Sequence, residues 1–253
     1  MSPLAISSIV FAVVFGGALF GTFVRSFVPE RHITAESKDA VKAAVALIAT
    51  MSALVAGLLI ATAKTSYDAQ DTQIKQMTAN VIVVDRLLAQ YGPETRDARD
   101  LLRHAIPPLA NQISRDNSPG SGKFVPFEMS PEAEAFYAKI QELMPKNDAQ
   151  RSLQARAIST ATTLAQARLL LFAETRDSIP TPFLATLVFW LALIFASFGL
   201  FARANPIVFA ALAFCALACA GAIFLILELD GPFSGLITIS SESFRQALPP
   251  LDP

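Results

Sequence analysis

Few residues in this chain have the type and spacing that chemistry requires. The two histidines, His32 and His104, fall in different segments, and neither forms a helical metal-binding pair or an HExxH motif. Gly231-Pro232-Phe233-Ser234-Gly235 places its serine one position late for a nucleophile elbow, and no strand precedes it. Gly120-Ser121-Gly122-Lys123 has the look of a phosphate loop, but Asn117 stands where the first glycine belongs and Phe124 where the final Ser or Thr belongs. No catalytic constellation, metal site or cofactor site is expected, so the protein is not expected to be an enzyme.

Two other patterns carry more information. Ala46, Thr50, Ala53, Gly57, Ile60 and Lys64 recur at alternating steps of four and three, which puts them on one face of a helix, while Leu47, Met51, Leu54 and Leu58 fall on another. A face of small residues either lets a second helix approach closely or lines a narrow pathway between copies of the chain. These six residues are therefore candidates to line a pore. Arg176, Glu228 and Asp230 fall at the ends of apolar segments, as does Lys64, and are candidate pore-mouth charges; an ordinary interfacial ion pair is the alternative.

The elements that must position these residues follow from the distribution of charge. Of 253 residues 53% are hydrophobic and 16% charged, a balance far from that of a soluble domain. Residues 1–24, 43–63, 178–202 and 204–227 contain no charged residue. Each is long enough to cross a hydrocarbon core about 30 Å thick as a helix. The intervening block, 64–178, holds 14 of the 20 Lys and Arg and 14 of the 21 Asp and Glu. It reads as a polar, formally neutral insert.

The expected architecture is an all-α membrane protein with four transmembrane helices and a helical extramembrane insert between spans two and three. Residues 1–63 hold spans one and two, 64–178 a helical stalk, 179–229 a hairpin of spans three and four, and 230–253 an interfacial tail, apolar enough to pack but too short to cross, at the membrane interface or against the bundle. The amino-terminal segment lacks the positive region of a secretory signal and is too long for its apolar core, so it is read as a retained span. Gly17 and Gly21 form a GxxxG pattern that permits close helix contact.

Span two continues without a breaker from Lys64 to Tyr91, with Ile74, Met77, Val81, Val84, Leu88 and Tyr91 forming a helical seam that Gly92-Pro93 ends. Further helices are expected over 94–114, interrupted by Pro107-Pro108, over 131–144 and over 148–178. The first and last stretches of the insert, roughly 40 and 46 Å as helices, are expected to pair antiparallel. Cys215 and Cys219, both inside the fourth span, are expected to be buried packing residues and not a disulfide.

A net charge of -1 and the absence of a basic run leave no electrostatic footprint for nucleic acid, and no nucleic-acid partner is expected. Five cations flank the spans on each side: Arg25, Arg31, Lys38, Lys42 and Arg203 against Lys64, Lys75, Arg168, Arg176 and Arg245. Charge alone therefore does not orient the chain.

Three separated motifs carry a resemblance. They are Ala49-Thr50 with the run Leu58 to Asp68, then Ala79-Asn80-Val81-Ile82-Val83-Val84-Asp85-Arg86-Leu87-Leu88-Ala89-Gln90-Tyr91-Gly92-Pro93, and then Glu228-Leu229-Asp230-Gly231-Pro232-Phe233-Ser234-Gly235-Leu236-Ile237. In this order, and with four spans, the chain resembles the bestrophin-like family of bacterial membrane proteins, a domain of unknown function.

That family is in turn similar to the bestrophins, which are pentameric anion channels with cytosolic termini, a cytosolic helical insert and a pore lined by span two. The resemblance implies a homo-oligomer, pentameric, in the bacterial inner membrane with termini and insert in the cytoplasm, passing anions such as chloride. Two features depart from the bestrophin pattern. No acidic run follows Phe233, so no calcium site carries over, and Ala, Thr and Gly replace the bulky apolar neck of span two. The reading from a different class is a non-conducting scaffold or sensor whose helical insert binds a partner.

Overall fold

The computed structural model describes residues 2–27, 35–115, 131–174, 179–202 and 205–231, with 236, 239, 244 and 246–248. Among these residues the chain is all helical: α1 (Pro3–Phe27), α2 (Ala35–Tyr91), α3 (Arg96–Arg115), α4 (Pro131–Glu142), α5 (Asp148–Glu174), α6 (Thr181–Phe201) and α7 (Pro206–Asp230). Four of them, α1, α2, α6 and α7, are long and apolar enough to cross a membrane. This is an integral membrane protein.

The chain divides into two units, Met1–Thr65 with Ser178–Asp230 and Ser66–Asp177 with Gly231–Pro253. In the first, Ser7, Val10, Val14, Ala18 and Gly21 are the buried residues of α1. Their three- and four-residue steps make one stripe, and that stripe meets α6 at backbone distance. A Cβ placed on Gly17 would lie 2.8 Å from the carbonyl oxygen of Ala192, one on Gly21 1.9 Å from that of Ala196, and one on Gly199 2.0 Å from that of Ala18. The GxxxG pattern thus serves a helix contact that no larger residue could make. Thr22 Oγ1 donates across it to the Gly199 carbonyl at 3.3 Å.

Polar groups close the ends of α6. Arg25 Nη1 donates to the carbonyls of Phe201 and Ala202 at 3.0 and 2.7 Å, where the helix leaves its last acceptors unfilled. At the other end the Asp230 carboxylate accepts from the backbone N–H of Ile179, at 3.2 Å for the nearer oxygen.

In the second unit the seam expected on α2 is real: Ile74, Met77, Val81, Val84, Leu88 and Tyr91 are all buried. Ile74, Met77 and Val81 share a cluster with Ala167 and Leu171 of α5, whereas Val84, Leu87 and Leu88 share one with Ala157 and Ala161. Position rises along α2 as it falls along α5, so these two stretches run antiparallel. Gln150 Nε2 bonds the Tyr91 carbonyl at 3.0 Å, which ties the start of α5 to the end of α2.

Several boundaries differ from those read in the sequence. Helix α2 begins at Ala35, within the stretch expected to be a connection. Along its first two turns Glu36, Asp39 and Lys42 are exposed and Lys38 is half-buried, and Lys42 pairs with Asp39 at 3.3 Å. Gly92 ends α2 at φ 136°, and a short 3-10 turn, Pro93–Thr95, follows. Thr95 Oγ1 donates to the Leu88 carbonyl at 2.6 Å and closes that end.

Helix α3 runs unbroken through Pro107-Pro108, contrary to the interruption expected there. Its buried residues Leu102, Ile106 and Ala110 hold it against the unit, while Pro107 lies on the exposed side. There water can satisfy the carbonyls that the prolines leave without donors. Helix α4 stops at Glu142 and α5 at Glu174, and residues 175–178 lie outside the described set.

Of the two places expected for the tail, the membrane interface or the surface of the helices, Ile239 and Phe244 take a packed one in the core of the second unit, beside Ile74, Ile106 and Leu171. Helix packing offers those side chains a drier site than a headgroup layer does. Cys215 is exposed and Cys219 half-buried, which corrects the expectation that both are buried. Apolar groups on a membrane helix can face lipid, so their character does not force them inward.

Candidate functional site

The candidate site is the membrane-spanning part of α2. Ser52, Leu59 and Ala63 are buried against the rest of the first unit, with Val45, Ile48, Ala49, Val55 and Ala56 packed partly beside them. The Ser52 hydroxyl donates back to the Ile48 carbonyl at 2.8 Å, so the buried face offers no free donor.

With about 100° between successive residues, the small face lies about 120° from this buried face, and the bulky face about as far on the other side. Ala46, Thr50, Ala53, Gly57 and Lys64 are exposed, and Ile60 is 40% exposed. A Cβ added at Gly57 would meet nothing within 4 Å. Leu47, Met51, Leu54 and Leu58 are exposed as well. Both outer faces of α2 are therefore uncovered within one copy. Buried residues make up 11% of its most apolar window, against 22 to 28% in the other three spans.

Thr50 Oγ1 donates to the Ala46 carbonyl at 2.9 Å. The hydroxyl proton is thereby occupied, while the oxygen can still accept a bond from outside. Along its membrane stretch the small face is thus short of strong donors, and Lys64 supplies a cation at one end.

The charge candidates separate. Glu228 is 2% exposed and buried inside the first unit, so within one copy it is not a solvated rim charge. Asp230 is used at the start of α6. Lys64 is exposed, and Arg176 lies outside the described residues. Among the described residues no three His, Cys, Asp or Glu side chains are grouped to hold a metal ion.

Sequence reasoning passed over a charged cluster in the second unit. Asp85 is buried on α2 and takes a two-pronged contact from Arg99, Nε to Oδ1 at 2.9 Å and Nη2 to Oδ2 at 3.1 Å. Arg103 Nη1 adds a bond to Oδ1 at 2.9 Å. Burial by itself would raise the Asp85 pKa, but the two guanidinium groups outweigh it and hold the carboxyl below its ordinary value. The same contact raises Arg99. The available signal was an acid beside Val84 and Leu88 on an apolar seam, with two arginines four apart on the next helix. The cluster locks α3 to α2.

Nearby, burial raises the Tyr137 hydroxyl, which donates to the Ala161 carbonyl, and lowers Arg168.

Residues 10–244 match the family described as Bestrophin-like domain. The chain belongs to the bestrophin-like family. The match takes in the other three spans of this bestrophin-like protein and most of α1, and it reaches Phe244, the buried anchor of the tail. No curated protein and no solved structure matches the chain at a significant level.

Proposed function

We propose that this bestrophin-like protein is a homo-oligomeric anion channel, pentameric as in bestrophins, whose pathway is lined by α2. Its place is the bacterial inner membrane, with termini and helical insert in the cytoplasm. The observation that carries the reading is the exposure of α2. Lipid can cover the bulky outer face of α2, and an arrangement of neighbouring copies around a central axis would turn the small outer face inward to line a pathway. Ala46, Thr50, Ala53, Gly57 and Ile60 would then form the wall, with Lys64 attracting anions at one end.

A second reading, a non-conducting scaffold or sensor whose insert engages a partner, is favoured by the open space at Gly57. Small residues with free space admit a tightly packed neighbouring helix as readily as they admit water.

Cysteine accessibility separates the two. In a background with Cys215 and Cys219 replaced by Ala, Ala53→Cys and Gly57→Cys should react in membranes with a water-borne thiol reagent. Leu54→Cys and Leu58→Cys should stay unreactive. Unreactive Ala53→Cys and Gly57→Cys in an assembled oligomer would favour the scaffold.

A further inference from the structure

The first unit contains a groove of about 260 Å³ between the start of α2 and the end of α6. Val41, Val45, Ala46 and Ala49 form one wall, and Phe198 and Phe201 form the other. Of the two polar lining residues, Ser197 turns its hydroxyl back to the Leu193 carbonyl at 3.0 Å. The remaining one is Lys42. Water gains nothing in a space without polar partners, so the groove calls for hydrocarbon. It is smaller than the roughly 300–1,000 Å³ typical of sites for whole small molecules, and suits a single chain.

The charges at its end identify what that chain carries. Lys42 is the last charged residue before a charge-free run of α2, so it stands where the membrane span begins. Arg25 holds the Phe201 carbonyl at 3.0 Å and so brings a second cation to the same end of the groove. Asp39 is the acid paired with Lys42, at 3.3 Å, and both side chains are more than two-thirds exposed. A pair this exposed is weak enough for another anion to compete with. We infer that the groove seats one acyl chain of an anionic glycerophospholipid, with the lipid phosphate between Lys42 and Arg25. A zwitterionic lipid can fill the same apolar space but gains less from two cations. The groove shares only Ala46 with the proposed pathway face, and the test below reads lipid contact and not conduction.

The test uses the full-length protein in vesicles, with Trp190→Phe and Phe201→Trp placing one tryptophan at the groove. Lipids brominated on their acyl chains quench that tryptophan on contact. Brominated phosphatidylglycerol, at equal mole fraction, should quench more strongly than brominated phosphatidylcholine. Lys42→Gln should reduce the preference about fivefold, as expected for one cation at a membrane surface, and Lys42→Arg should restore it. Ser197→Cys, in a background with Cys215 and Cys219 replaced by Ala, should not form disulfide-linked pairs of copies. Equal quenching by both lipids, or a preference unchanged in Lys42→Gln, would overturn the assignment. Weak quenching with efficient Ser197→Cys cross-linking would give the groove to a neighbouring copy instead.

Discussion

Replacing Gly21 with alanine puts the α1–α6 contact under the sharpest available test. The added Cβ would sit 1.9 Å from the Ala196 carbonyl oxygen and 3.0 Å from the Leu200 nitrogen, both backbone atoms that no rotamer change can move. Carbon and carbonyl oxygen ordinarily approach no closer than about 3.3 Å, so the two helices must part by about 1.4 Å. The gap would strain the Thr22 bond to Gly199 and the Arg25 bonds to Phe201 and Ala202.

Overpacking of this kind costs about 1–3 kcal/mol, which for a chain of this size lowers Tm by about 2–12 °C. The assay is thermal melting of the detergent-purified protein followed by size-exclusion chromatography. Gly16→Ala is the control, because a Cβ there meets nothing within 4 Å and a helical alanine can only help. Equal Tm values for Gly21→Ala and Gly16→Ala would refute the close-contact argument.

Other outcomes follow from the second unit. Asp85→Asn should destabilise it by about 2–4 kcal/mol, because Arg99 and Arg103 would lose the carboxylate that pairs them; unfolding by denaturant reads this, and an unchanged midpoint would contradict it. Because the folded Asp85 pKa lies below its unfolded value, the contribution is fully present above the ordinary carboxylate range, about pH 4, and is lost as pH falls through the folded pKa. The Asp85→Asn variant should therefore show a shallower loss of stability on acidification than the parent. Gly92→Ala forces a side chain into φ 136° and should cost about 1–3 kcal/mol, seen as a lower Tm, whereas Gly57→Ala should leave Tm nearly unchanged.

The four spans were legible because charge-free runs of more than 20 residues have few alternatives, and the α2 seam because its period is that of a helix. The run of α3 through Pro107-Pro108 was not. A proline pair predicts a break locally, and only the burial of Ile106 and Ala110 beside it shows why the helix continues. The placement of Ile239 and Phe244 was half legible: the tail is too short to cross and apolar enough to pack, but it carries no mark of which surface it will cover. At the candidate site, periodicity put the six small-face residues on one side of α2. It could not reveal that Glu228 is enclosed or that Asp230 serves the start of α6, because both depend on contacts between helices distant in sequence. The Asp85 cluster escaped for a different reason: its acid and its two arginines lie on consecutive helices, and the turn between those helices decides whether they meet.

Anion flux through vesicles carrying the purified protein separates a conducting oligomer from a scaffold, with the parent compared against Gly57→Leu at equal protein content. Since Gly57 has open space around it within one copy, leucine there should leave folding and assembly intact while narrowing the pathway. Chloride efflux should exceed that of empty vesicles for the parent and be lost in Gly57→Leu, with the same oligomer on size-exclusion chromatography. An intact parent oligomer that passes no anions, or a Gly57→Leu oligomer that passes them as freely as the parent, would contradict a pathway lined by α2.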